Sequence, residues 1–133
     1  MRILAALLAF TLFPAVAGAD DWVEVPSADP TMVIAFSKDS VEVMSSSVKK
    51  VRTRFAGRNG QVIPQVNVMS VVTDVEFNCK QPLEKVLFAQ IVTADGNLSS
   101  QQVENPLFSE IPHGSNSYRL WLQICSPPGV KTQ

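Results

Sequence analysis

Residues 67–79 alternate so regularly that one backbone geometry fits them. In an extended chain Val71, Thr73, Val75, Phe77 and Cys79 fall on one side, while Asp74, Glu76 and Asn78 fall on the other. A strand with one apolar and one charged face belongs to a sheet that is covered on one side and solvated on the other. Cys79 closes this run on its apolar face, and the second cysteine, Cys125, closes another apolar run at residues 117–125. Any fold available to the chain must serve both run ends with one core.

The compartment follows from the N-terminus. Arg2 supplies a positive start, residues 3–13 form an almost unbroken apolar run, and Ala17-Gly18-Ala19 offers small residues to a signal peptidase. Residues 1–19 are therefore expected to be a cleaved signal peptide, with cleavage before Asp20. A membrane anchor needs about 20 apolar residues, and Pro14 interrupts the run short of that. Neither cysteine stands at the cleavage point, so no lipoprotein is expected, and the mature chain carries no transmembrane segment. The expected location is the periplasm or the medium.

Residues 20–127 are the length of one small domain, with a flexible tail at 128–133. Losing Arg2 leaves ten Lys and Arg (11 − 1) against 12 Asp and Glu. Such a near-neutral chain has no bulk attraction for nucleic acid. Behind a signal peptide, two cysteines favour a single intramolecular disulfide, Cys79 to Cys125. Intermolecular pairing and a redox-active thiol are the competing readings, and no Cys-x-x-Cys spacing supports the second.

Most other signals are those of strands. Residues 22–25, 31–37, 40–44 and 48–55 are short β-branched or aromatic runs, and residues 56–64 contain Gly57, Asn59-Gly60 and Pro64 and read as a loop. Residues 84–94 form a second long strand, joined through Asp95-Gly96 to residues 97–103 as a hairpin with a primed turn. Residues 104–116 are broken by Pro106, Pro112 and Gly114, with room for one helical turn. The pattern recovers at 117–125, where Tyr118, Leu120, Leu122 and Ile124 suggest a last strand, with Trp121 and Cys125 sharing its opposite face. The expected fold is mainly β: a single small domain with a curled, mostly antiparallel sheet, a half-barrel or sandwich, one disulfide and at most one short helix.

Trp22-Val23, Lys38-Asp39-Ser40-Val41, Val75-Glu76-Phe77-Asn78-Cys79, Asp95-Gly96, Ile111-Pro112 with Gly114-Ser115, and Ile124-Cys125 occur in that order. In this the chain resembles the bacterial surface-adhesin protein E-like family over almost the whole mature length. The resemblance implies a small antiparallel β-domain exported by a Gram-negative bacterium, with paired cysteines and a role in binding host matrix proteins or in the envelope. The adhesin that names the family looks like a lipoprotein, and this chain lacks the cysteine that would carry the lipid.

The chemistry-bearing residues argue for binding over catalysis. His113 and Ser115 sit two apart on a turn, without the strand-turn-helix setting of a nucleophile elbow. One histidine and two paired cysteines are too few for a zinc site, no phosphate loop is present, and no cofactor is expected. Asp74 and Glu76 read as solvated exterior charges. Lys50, Arg52 and Arg54 would project from one strand face about 6.6 Å apart, with Arg58 in the next loop. That stripe suits an anionic glycan, a lipopolysaccharide or an acidic protein surface, and cross-strand Glu42 or Glu84 would neutralise it. The expected function is an exported, non-catalytic binding domain. The alternative is an inhibitor of a host hydrolase such as lysozyme, in which the 109–117 loop plugs a cleft. Homodimerisation stays open.

Overall fold

A computed structural model describes residues 21–126. The signal segment with Ala17 and Ala19, and the tail at 128–133, lie outside the described residues. The strands are β1 (Trp22–Val25), β2 (Met32–Ser37), β3 (Glu42–Val43), β4 (Val48–Gly57), β5 (Val68–Asn78), β6 (Leu83–Thr93), β7 (Leu98–Gln102) and β8 (Ser109–Glu110), followed by helix α1 (Asn116–Cys125). All eight strands pair antiparallel in one curled sheet that does not close, along the path β1-β2-β4-β5-β6-β7. β3 lies beside β4, and β8 beside β6.

Sequence alternation sets the register. Val51 faces Val75 and Thr53 faces Thr73 across β4 and β5, so the odd-numbered residues of both strands share the concave face. The charged residues at even positions point outward. β4 continues to Gly57, further than the sequence suggests, and a 3-10 turn at Arg58–Gly60 follows. Glycine is required at 57 because a Cβ there would come within 1.7 Å of the Gln61 carbonyl oxygen. The β6–β7 connection is also not the expected primed turn. Gly96 N–H donates to the Thr93 carbonyl (2.9 Å) and Thr93 N–H to the Asn97 carbonyl (2.9 Å). Gly96 alone in this loop takes a left-handed φ, 88°, which makes a three-residue loop with a bulge.

The largest correction concerns residues 117–125, which form a helix and not a strand. Gly114 turns the chain with φ 82°, and the Ser115 hydroxyl then accepts the Tyr118 N–H at 3.1 Å. This N-cap satisfies one of the orphan donors of a first helical turn. Leu120 and Ile124, four residues apart, face inward and are 1% and 6% exposed. They meet Ile34, Val51, Val75 and Phe77 of the sheet, together with Ile111. Burying each such side chain is worth about 1.5–3 kcal/mol, so the core is a sheet sealed by one helix.

The expected disulfide is present, with Cys79 and Cys125 Cα atoms 5.2 Å apart across a separation of 46 residues. It joins the end of β5 to the last turn of α1, where the sequence suggested a second strand. Two hydrogen bonds reinforce it. Trp121 Nε1–H donates to the Asn78 carbonyl at 2.8 Å, and the Lys49 ammonium donates to the Ile124 carbonyl at 3.1 Å. The second places a cation at the negative end of the helix dipole.

Closing a loop of this length restricts the unfolded chain by about 4 kcal/mol. The Cys79→Ser/Cys125→Ser variant is expected to lose stability of that order in urea unfolding. A loss below about 1 kcal/mol would show that the noncovalent ties at Asn78 and Ile124 hold the helix unaided.

Candidate functional site

Helix α1 packs most closely on β1 and β2 and reaches β4 and β5 through Leu120 and Ile124, leaving part of the concave face uncovered. Beyond its edge the sheet floor lies open between Ser117 and Leu120 of the helix and Ile63 and Val66 of the loop before β5. The result is a trough of about 420 Å³. Its floor is apolar, built from the partly buried Phe55, Val71 and Val86 over the core residue Val75. Val66, on the rim, is 58% exposed, so apolar surface continues to the lip.

The polar groups in the trough are few and localised. The Thr53 and Thr73 hydroxyls, directly opposite in register, hydrogen-bond each other at 2.7 Å. Glu84 lies further along, placed on the concave face by its pairing with the core residue Phe77. Burial pushes the Glu84 carboxyl above the ordinary carboxylate value, and a hydrogen bond from Ser117 opposes the rise. A raised carboxylate beside apolar walls is a strong acceptor when ionised and a donor when protonated. The trough therefore offers one adaptable polar anchor at the side of a greasy floor, an arrangement common in small-molecule sites.

The sequence-derived residues fall elsewhere. Lys50, Arg52 and Arg54 do share the outer face, but carboxylates meet two of them. Lys50 faces both Glu42 and Glu76 in register, and Arg52 Nε–H donates to Asp74 at 2.9 Å. Arg58 reaches Glu24 at 3.3 Å and the Pro30 and Met32 carbonyls, away from the stripe. Glu84, expected as a neutralising partner, is on the opposite side of the sheet, and Asp74 and Glu76 fill that role. Glu76 also pairs with Lys85 at 3.2 Å.

The 109–117 segment is folded onto the body. Ser109 and Glu110 pair with β6, Ile111 is 4% exposed, and the Ser115 hydroxyl is engaged in the helix cap. The His113 ring packs on Tyr118, centroids 4.5 Å apart. Among the described residues no cluster of three or more His, Cys, Asp or Glu is arranged to hold a metal, and no helix is long and apolar enough to cross a membrane.

Sequence reasoning missed the trough because Thr53, Thr73 and Glu84 carry no motif. A signal for Glu84 did exist: a tight turn after Cys79 pairs it with Phe77, and cross-strand partners share a face. Compared with known proteins, the chain matches no family model, no curated protein and no solved structure.

Because the folded Glu84 pKa lies above its unfolded value, the folded state binds the extra proton between the two. Stability attributable to this group is full below about pH 4.5 and is lost as pH rises through the elevated value. Urea midpoints measured from about pH 4 to about pH 7 should fall more for wild type than for Glu84→Gln. Parallel curves for the two proteins would remove Glu84 as a buried titrating group.

Proposed function

We propose that the protein is an exported, non-catalytic binding domain whose concave trough takes an apolar ligand with one hydrogen-bond donor or cationic head directed at Glu84. The observation that carries this reading is the mainly apolar trough whose few polar groups are the Thr53–Thr73 pair, Glu84 with Ser117, and Gln65. A closed core would have no such floor exposed.

Export rests on the reading of residues 1–19 as a signal peptide, and the Cys79–Cys125 disulfide suits an oxidising compartment. The resemblance to the surface-adhesin protein E-like family supplies the setting: the periplasm or exterior of a Gram-negative bacterium, in adhesion or an envelope role. In that setting the trough holds an apolar segment of a protein partner or an amphiphile of the envelope, since both present an apolar body with a polar end.

N-phenyl-1-naphthylamine, an apolar ring system with a single N–H donor, is a direct probe. Its fluorescence is expected to rise saturably with the mature protein. Val71→Trp, which fills the floor, should weaken binding by about tenfold, the equivalent of about 1.4 kcal/mol. No saturable signal from wild type, or equal affinity in the folded variant, would rule the trough out as a binding site.

A further inference from the structure

The opposite side of the same strands carries a second depression, of about 390 Å³, whose walls include Trp22, Arg54, Val72, Phe88 and Gln90. Register explains the grouping. Arg54 lies opposite Val72, Val72 opposite Gln90, and Gln90 opposite Ser100, so a single cross-sheet row runs through the site. Trp22 on β1 and Phe88 on β6 stand in the neighbouring row and close it with aromatic surface.

Arg54 is the unusual member. Its guanidinium lies over the Trp22 ring, 4.8 Å from the centroid, and is held there by attraction between the cation and the ring face. No carboxylate lies within ion-pairing distance of it among the described residues, although Arg52 and Arg58 are both paired. Its Nε–H is buried and has no hydrogen-bond partner. A buried donor left unmatched is costly and is normally satisfied. With Nε buried, Arg54 presents the two Nη groups at the end of its guanidinium, which can match a carboxylate through two parallel bonds.

The rest of the depression narrows the ligand class. Phe88 supplies an aromatic ring to the lining, beside the Ser70 hydroxyl and the Gln90 amide, whose nitrogen also donates to Ser100 at 3.5 Å and whose oxygen can accept. An aromatic face next to amide and hydroxyl groups suits a sugar ring, which is apolar across its C–H face and polar around its rim. The volume is at the small end of the range of about 300–1,000 Å³ for ligand sites, enough for a short saccharide.

We infer that this depression is a binding site for an acidic saccharide, whose carboxylate pairs with Arg54 and whose ring packs against Phe88 with its hydroxyls directed to Gln90 and Ser70. The site is independent of the trough, lies on the other face of the sheet and survives if the trough binds nothing. It also replaces the broad basic stripe by one cation, since Lys50 and Arg52 already face carboxylates.

The test is an amide and indole chemical-shift titration of the mature protein with a hyaluronan tetrasaccharide, which carries carboxylates and no sulfate. Neutral chitotetraose serves as the comparison. Saturable shifts at the Trp22 indole and at Gln90 are expected with the acidic sugar only. Arg54→Gln should weaken binding by about tenfold or more, in keeping with a lost charge-assisted pair. Arg54→Lys, which keeps the charge without the fork, should weaken it severalfold, and Lys50→Ala should leave it unchanged. No shifts with wild type, equal binding of chitotetraose, or full affinity in either folded Arg54 variant would overturn the assignment.

Discussion

The fastening of α1 to the end of β5 is the constraint on which the rest of this fold depends. An eight-stranded sheet open at both ends cannot bury its concave face by curling alone, and one ten-residue helix is the element that seals it. A helix this short is marginal by itself in water. Its position is held at the last turn, where the Cys79–Cys125 bond, the Trp121 indole on Asn78 and the Lys49 ammonium on Ile124 converge. With that end fixed, Leu120 and Ile124 are held against Phe77 and Val75, and the core forms around them.

The two depressions proposed as binding surfaces follow from the strand period of two. β5 sends Val71, Thr73 and Val75 into the trough, while Val72 and Asp74 point to the outer face. β4 does the same with Thr53 and Phe55 inward and Arg52 and Arg54 outward. The two depressions are therefore back to back, separated by the thickness of one backbone layer. A one-residue slip between β4 and β5 would exchange the faces and destroy both.

The alternation at residues 67–79 made the central strand, its inward face and the core-side position of Cys79 readable directly. The cysteine pairing followed from the count and the expected compartment. Helix α1 was not readable in the same way, because Tyr118, Leu120, Leu122 and Ile124 satisfy a period of two while Leu120 and Ile124 also satisfy the helical spacing. The deciding local signal was Ser115 after Gly114, a capping position whose force depends on the turn before it. Arg54 could not be separated from Lys50 and Arg52 without the register that brings Glu42, Glu76 and Asp74 opposite its neighbours and Val72 opposite itself. Glu84 was placed on the wrong face for a similar reason, since its side depends on the number of residues in the turn after Cys79.

The sheet's failure to close has a consequence for the shape of molecule that fits the trough. A sealed barrel admits a guest only through its mouth, so the guest must end inside. Here β1 and β7 do not meet, so no closed ring of strands surrounds the trough. A long chain, whether polypeptide or acyl, can lie across such a surface with both of its ends in solvent, gripped along its middle. Under the function proposed above, the trough would take a segment of something larger than the domain itself.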